Sequence, residues 1–308
     1  MASDSGLTWY AMGKTYVFYH ANCHDGFGAA YAAWKKYGDR PVYLPVQHGG
    51  HVPMIGKRST AYVVDFCFPL DELQGMMDRA ERLVVIDHHE SALDDMTEFA
   101  SWAEVNGHTV RTNGLPDRPD AGDSEADIQL YYESERSGAT MAWSYFVPDE
   151  PVPTLLKYVQ DRDLWTWSMP DSRAFWYALL MLPMDFEVWD NVISEGDKGI
   201  ERMRHEGKAI QRFVMQQVER TCQHARYANI RGHRVPCVNS TQLQSEIGEY
   251  LLNEYPDAPF AAIFGVKPDG DRVYSLRGRG DFDVAKVAAT FGGGGHKSAA
   301  GFKTDQRL

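Results

Sequence analysis

Side chains that can bind metal ions follow three short segments typical of buried strands, Thr15–Tyr19, Ala61–Val64 and Leu83–Ile86. The polar residues stand directly after each segment: His20, Cys23, His24 and Asp25 after the first, Asp65 after the second, and Asp87, His88 and His89 after the third. Asp and His hold divalent cations such as Mn²⁺, and converging carboxylates bind metal rather than stay unpaired. Two cations that share a carboxylate can together polarise a phosphoryl group and deprotonate a water molecule.

A fourth polar cluster, Asp161 and Asp163, lies on a predicted helix. Each feature also has a simpler interpretation, because an Asp after a strand is commonly a cap or turn residue. Cys23 would then be only a small buried apolar residue. The coincidence of three strand ends favours the metal centre.

The elements that must position these side chains alternate between strand and helix. Apolar residues from Phe27 to Trp34 have helical spacing, and Gly38 can end that helix. A second helix is predicted to carry Leu73, Met76, Met77 and Ala80. Such alternation predicts an α/β fold with a parallel sheet, whose ligand site lies at the carboxyl ends of the strands.

The rest of the chain predicts further helices at Ser137–Phe146 and from Pro153, after an exposed insertion at Gly107–Asp127. A long helix, Lys198–Arg226, has Ile200, Met203, Ile210, Phe213 and Val214 on its predicted inner face. Strands and helices alternate again over the last 80 residues. We predict a parallel-sheet catalytic domain (1–195), a helical connector (196–228) and a smaller α/β domain (229–308) facing the first across a cleft.

Composition limits the classes of protein that fit. The 308 residues are 44% hydrophobic and carry a net charge of −12, and no apolar run is long enough for a membrane span. The charge is uneven: residues 1–195 hold 14 basic and 30 acidic side chains, whereas 196–308 hold 17 and 13. An acidic chain argues against coating long nucleic acid. Without a secretory signal or a regular cysteine framework, we expect a reduced, cytoplasmic protein.

Motifs along nearly the whole chain, roughly residues 15–303, resemble one known family. His20-x-x-Cys23-x-Asp25-Gly-Phe-Gly-Ala-Ala, Asp65, Asp87-His88-His89 and Gln-Asp161-Arg-Asp163-Leu-Trp resemble the ordered motifs of the DHH phosphoesterase superfamily. The C-terminal Arg277, Phe282-Asp283-Val284 and Gly292–Phe302 (GGGGHKSAAGF) resemble the DHH-associated substrate-binding domain. The Asp87-His88-His89 triplet alone is a weak signal, but the glycine-rich signature in the same chain is highly specific.

The resemblance implies two Mn²⁺ ions, with Mg²⁺ or Co²⁺ as alternatives. Asp65 would bridge them; Asp25, His88 and Asp161 would hold one ion, and His20 would help to hold the other. His89 would contact the scissile phosphate and Asp87 would orient its neighbours. Asp163 is expected to form a salt bridge with Arg162 or to cap the helix instead.

One position departs from the family pattern. Cys23 stands two residues before Asp25, where the family usually has an Asp. The ligand contributed by this motif to the first ion is therefore Cys23, His24 or none, with Asn22 as a further oxygen donor.

The C-terminal glycines have a mechanical use. Without Cβ atoms, Gly293, Gly294 and Gly295 let the backbone approach a ligand and present N–H groups to an anion. Arg277 and His296 add donors for a phosphate or a nucleobase edge. The aromatic residues after the fourth motif are expected to pack in a core rather than stack on bases: Trp165, Trp167, Phe175, Trp176 and Tyr177.

These inferences predict an Mn²⁺-dependent phosphodiesterase that acts on short oligonucleotides or small nucleotide phosphodiesters. Its partners would be such nucleotides, without long duplex nucleic acid or membrane, and its oligomeric state is left open. The alternatives are a single-strand exonuclease of the RecJ type, a cyclic-dinucleotide phosphodiesterase, a nucleoside-bisphosphate phosphatase, and a catalytically weakened nucleotide sensor.

Overall fold

The computed structural model describes residues 12–47, 49–50, 52–115, 125–268 and 270–306. The chain divides into two compact units, Met1–Lys208 and Ala209–Leu308. The division falls within a 26-residue helix, which the sequence predicts as a connector.

The first unit contains a six-stranded sheet with strand order β2-β1-β3-β4-β6-β5, and every pairing is parallel. Its strands are β1 (Thr15–His20), β2 (Val42–Val46), β3 (Ser59–Val64), β4 (Ala80–Asp87), β5 (Val110–Asn113) and β6 (Ile128–Tyr132). The predicted α/β fold with a parallel sheet is confirmed.

Helices cover both faces of this sheet. They are α1 (His24–Tyr37), α2 (Leu70–Met77), α3 (Leu93–Val105), α4 (Gly138–Phe146), α5 (Thr154–Asp163), α6 (Ser172–Leu179), α7 (Phe186–Ser194) and α8 (Asp197–Cys222). Val17 and Val64 pack on one side with α1 and α4 to α7, whereas Phe18 and Val63 pack on the other with α2 and α3. Alternate strand residues therefore enter separate cores, as expected for a sheet buried on both faces.

Three details differ from the sequence predictions. Ala80 begins β4 rather than ending α2, because that helix stops at Met77. The predicted exposed insertion, Gly107–Asp127, contains β5, whose Thr112 is buried; its residues 116–124 lie outside the described residues. Phe213 of α8 is 62% exposed, so helical periodicity placed it on the wrong face.

The second unit contains a mixed six-stranded sheet with order β11-β12-β10-β9-β8-β7, in which only the β8–β9 pairing is parallel. Its elements are β7 (Arg226–Ile230), β8 (His233–Asn239), α9 (Gln244–Glu254), β9 (Phe260–Val266), β10 (Arg272–Gly278), α10 (Val284–Ala289), β11 (Gly294–Gly295) and β12 (Ala299–Thr304). The sequence prediction of a second α/β domain is confirmed. Across the described ranges of both units, no helix is sufficiently long and apolar to cross a bilayer.

Candidate metal centre

The carboxyl ends of three adjacent strands, β1, β3 and β4, form the floor of the site. The pairing register keeps these ends level, so His20, Asp65 and Asp87 are neighbours along one edge of the sheet. His20 and Asp87 are the last residues of their strands, and Asp65 directly follows β3. The parallel topology thus brings together residues that are far apart in the sequence.

His88 lies at the centre of an acidic cluster. Its Nε2 atom is 3.2 Å from Oδ1 of Asp65, 3.6 Å from Oδ2 of Asp25 and 3.5 Å from Oδ2 of Asp163. Three carboxylates around one imidazole form an arrangement that can bind a divalent cation.

Asp65 is buried and its backbone has a φ of 54°. This left-handed conformation is uncommon for residues other than glycine, and residues held in it are concentrated at functional sites. Among the described residues, neither carboxylate oxygen of Asp65 nor Nε2 of His88 has a hydrogen-bond partner, although all three atoms are buried. Buried polar atoms that lack partners are costly, so these donor atoms fit a bound cation.

Two glycines make the close approach of these elements possible. A Cβ atom on Gly138, at the start of α4, would lie 2.5 Å from Cβ of Asp65, and one on Gly26 would lie 2.4 Å from the carbonyl oxygen of His20. The same helix start holds Asp25, whose Oδ2 accepts a 2.6 Å hydrogen bond from N of Gly138 and whose Oδ1 accepts one of 3.1 Å from N of Ala139. The N-terminus of α4 therefore fixes Asp25 beside Asp65.

The carboxylates of the cluster affect one another's pKa. Burial raises the pKa of Asp25, and the charges of Asp65 and Asp163 raise it further. Burial also opposes ionisation of Asp65, but the imidazoles of His20 and His88 outweigh it and hold the pKa of Asp65 below its usual range. Burial raises the pKa of Asp163 as well. A cation among these groups would relieve the repulsion, which is the electrostatic reason that the cluster suits a metal.

The cluster offers two neighbouring sets of ligand atoms. One set consists of His20, Cys23 and Asp65, and the other of Asp25, His88 and Asp163; within each set the ligand atoms lie within 4.8 Å of one another. A third grouping joins Asp65 and His88 to Asp87 and His89. Asp65 belongs to the first set, and its Oδ1 lies 3.2 Å from Nε2 of His88, a member of the second set.

Of the cysteine and the histidine considered in the first motif, Cys23 lies with the ligand groups and His24 does not. The ring of His24 instead packs edge-to-face on Trp176, with 4.8 Å between ring centroids. Burial, together with the charge of Arg162, lowers the pKa of His24 to about 4, against a hydrogen bond with the backbone of Leu179. Burial and the charges of Asp65 and Asp25 raise the pKa of the Cys23 thiol.

The fourth motif requires a correction. Asp163 contacts His88, whereas the carboxylate of Asp161 turns away and accepts hydrogen bonds from the segment after α5, at 2.6 Å from Oγ1 of Thr166, 2.7 Å from N of Ser168 and 2.8 Å from Oγ of Ser168. Side chains two residues apart on a helix point in directions that differ by about 200°, so only one of the two carboxylates can face the cluster. The structure brings Asp163, not Asp161, to the candidate site.

His89 lies beside the cluster and is held by Asp87. Oδ1 of Asp87 is 2.7 Å from Nδ1 of His89 and accepts hydrogen bonds from the backbone N–H groups of His88 and His89 at 2.7 and 3.3 Å. Burial favours the neutral imidazole, but the hydrogen bond and the charge of Asp87 outweigh it and raise the pKa of His89 to about 9. A positively charged, fixed imidazole at this position can bind a phosphoryl oxygen.

The second unit holds the predicted substrate-binding residues on neighbouring strands. Arg277 of β10 pairs with Ala299 of β12, which runs beside Gly294 and Gly295 of β11. Nη2 of Arg277 donates a 3.0 Å hydrogen bond to Oγ of Ser245, and burial lowers the pKa of its guanidinium.

The glycine-rich turn has its own backbone requirements. Gly295 has a φ of 138°, and a Cβ atom on Gly293 would lie 2.2 Å from the carbonyl oxygen of Gly301. Gly294 has open space around it, and His296 is exposed. The turn itself therefore explains Gly293 and Gly295, while Gly294 and His296 are available to a ligand.

No protein-family model matches this chain. Its sequence is 27% identical over 305 residues to the uncharacterized protein R106 of Acanthamoeba polyphaga mimivirus, a match that covers 92% of this chain and 66% of that relative. The chain thus spans just under two thirds of the length of the curated relative that it matches.

Three solved structures are similar to the chain at low identity. The pGpG-specific phosphodiesterase PggH from Vibrio cholerae has a TM-score of 0.48 and 12% identity, covering 94% of this chain and 92% of that one. RecJ from Thermus thermophilus, in complex with Mn²⁺, has a TM-score of 0.40 and 12% identity, with coverages of 95% and 50%. An exopolyphosphatase-related protein from Bacteroides fragilis has a TM-score of 0.38 and 13% identity, with coverages of 98% and 90%. None of these three structures is more than 13% identical to the chain. The functional proposal is therefore based on the residues of the site.

Proposed function

We propose that this chain is a metal-dependent phosphoesterase of the DHH superfamily. The observation that carries the proposal is the grouping of Asp25, Asp65 and Asp163 around Nε2 of His88, with both oxygens of Asp65 buried and lacking hydrogen-bond partners in the described part of the chain. The order of the motifs along the sequence gives independent support.

The residues fit two divalent cations, for which we propose Mn²⁺. His20, Cys23 and Asp65 would hold one, and Asp25, His88 and Asp163 the other. We propose that Asp65 is shared, because its Oδ1 is 3.2 Å from Nε2 of His88. When bound, such ions neutralise charge on a phosphoryl group and lower the pKa of water.

The chain's own residues would then position the substrate. Asp87 fixes the ring of His89, whose raised pKa keeps it protonated near neutral pH, so that it can donate a hydrogen bond to the scissile phosphate. In the second unit, Arg277 and the backbone around Gly294 would bind the substrate end through its phosphate or base.

We propose short oligonucleotides or small nucleotide phosphodiesters as substrates. The net charge of −16 over residues 1–195 would repel the backbone of a long nucleic acid beyond the few phosphates that the site binds. This charge makes long single strands less suitable than dinucleotides.

Hydrolysis of end-labelled oligonucleotides, from dinucleotides to long single strands, tests the proposal in the presence of Mn²⁺. We expect turnover that requires the metal and that falls as the strand lengthens. Equal turnover at all lengths would exclude the short-substrate preference and favour a RecJ-type exonuclease. Tight nucleotide binding without turnover would contradict the enzyme and favour a sensor.

A further inference from the structure

A cavity of about 410 Å³ in the first unit opens directly on the candidate metal centre. Cys23, Asp25 and Asp163 line it on the side of the metal centre, whereas Val159, Leu180 and Trp176 give it an apolar wall. This volume lies within the range of small-ligand pockets, which combine apolar walls with a few placed polar groups.

Aromatic and cationic groups contact one another in the lining of this cavity, which includes His24, Arg162 and Trp176. The guanidinium carbon of Arg162 lies 4.8 Å from the ring centroid of Trp176 and 4.2 Å from that of Trp165. Trp176 also packs against the ring of His24. Arg162 therefore makes cation–π contacts with both indoles, and Trp176 is only half-buried.

The segment after α5 has an unusual backbone that supports these contacts. Trp165 and Trp167 have φ values of 59° and 51°, a left-handed conformation that aromatic residues rarely adopt. Asp161 holds the segment, since its carboxylate binds Thr166 and Ser168 and its carbonyl oxygen accepts hydrogen bonds from N of Thr166 and N of Trp167. Backbone strain that the surroundings enforce is concentrated at ligand sites.

We propose that this cavity binds the nucleoside adjacent to the scissile phosphate, with the base against Trp176 and Leu180; the inference rests on the proposed phosphoesterase activity. Bases stack on aromatic side chains whatever their identity, so this contact would select nucleotides over other phosphate esters without selecting one base.

The same cavity argues against inorganic polyphosphate. Such a chain presents only anionic oxygens and needs cationic groups along its length. Arg162 is the one Lys or Arg side chain among the described residues that line the cavity. The apolar wall has no cationic group that could pair with the oxygens of a polyanion.

Two exposed neighbours at the end of α6 provide a matched pair of variants. Leu180 is 46% exposed and lines the cavity, whereas Met181 is 70% exposed and does not. Calorimetric titrations with AMP, ribose 5-phosphate and tripolyphosphate, with Mn²⁺ present, would compare Leu180→Gln, Met181→Gln, Trp176→Leu and Trp176→Phe with the wild type.

We expect Trp176→Leu to raise the Kd for AMP about tenfold, within the range for base–aromatic stacking, and Leu180→Gln to raise it about threefold. Binding of ribose 5-phosphate should not change in any variant, and Trp176→Phe and Met181→Gln should bind AMP like the wild type. Retention of AMP binding by Trp176→Phe would show that Trp176→Leu did not act by unfolding the site.

Two results would overturn the inference: equal binding of AMP and ribose 5-phosphate by the wild type, or tripolyphosphate binding more tightly than AMP. Failure of the proposed activity gives a different pattern. In that case no phosphodiester is hydrolysed, while the base-dependent difference between AMP and ribose 5-phosphate persists.

Discussion

Asp65 contacts one histidine of each ligand set, since its Oδ2 is 3.7 Å from Nδ1 of His20 and its Oδ1 is 3.2 Å from Nε2 of His88. We predict that Asp65→Asn lowers hydrolysis by more than about a hundredfold, since even the loss of a group that only supports a metal ligand costs roughly 10–100-fold. Metal analysis after dialysis against Mn²⁺ should show loss of bound ion in parallel. Wild-type metal content in this variant would contradict the shared ligand.

The two aspartates of the fourth motif can be separated experimentally. We predict that Asp163→Asn loses bound metal, whereas Asp161→Asn keeps it and loses about 1–3 kcal/mol of unfolding free energy, because its buried hydrogen-bond network is broken. Metal analysis and denaturant unfolding of both variants provide the measurement. The opposite result, with metal lost only from Asp161→Asn, would restore Asp161 as the ligand.

Cys23 offers a test of the departure from the family pattern. A thiolate is a soft ligand, whereas Mn²⁺ prefers carboxylate oxygen, so we predict that Cys23→Asp binds Mn²⁺ more tightly than the wild type. Titration with Mn²⁺ measures the affinity, and Cys23→Ser serves as the control that removes the thiol without adding a carboxylate. Identical Mn²⁺ affinities in all three proteins would show that Cys23 is not a ligand.

At the scale of elements, α4 can approach the end of β3 only because Gly138 has no side chain. We predict that Gly138→Ala displaces Asp65 and reduces both metal content and stability, because the added Cβ would lie 2.5 Å from Cβ of Asp65. Gly75 of α2 is the matched control: a Cβ there meets open space, so Gly75→Ala should stabilise the protein by about 0.5–1 kcal/mol. Thermal unfolding and metal analysis compare the two variants, and retained metal in Gly138→Ala would contradict the proposed fit.

The elements that carry the site could be predicted from the sequence, whereas others could not. β1, β3 and β4 each contain a continuous apolar segment, since they are central strands buried on both faces. β2 and β5 lie at the edges of the sheet, where burial is weaker and Pro45 is tolerated. Their sequences therefore lack the pattern that identifies a central strand.

At the scale of the whole molecule, the uneven charge favours separate tasks for the N-terminal and C-terminal parts of the chain. Residues 1–195 carry the acidic cluster and a net charge of −16, whereas 196–308 carry +4 and Arg277. We predict that Arg277→Ala raises the KM for a dinucleotide about tenfold, as expected for a lost charge-assisted hydrogen bond, and leaves the metal content unchanged. Steady-state kinetics and metal analysis provide the test; loss of bound metal in this variant would overturn the division of tasks.

The sequence by itself determined which kinds of donor atoms the site contains and that they follow the strands of a parallel sheet, because strand patterns and polar termini are local features. Only the tertiary structure shows that Asp163 rather than Asp161, and Cys23 rather than His24, lies in the acidic cluster, because side-chain direction depends on the local backbone and its packing. Only the tertiary structure separated Trp176, which lines the cavity, from the buried Phe175. Direction and proximity arise from packing between distant segments, and one segment's sequence does not specify them.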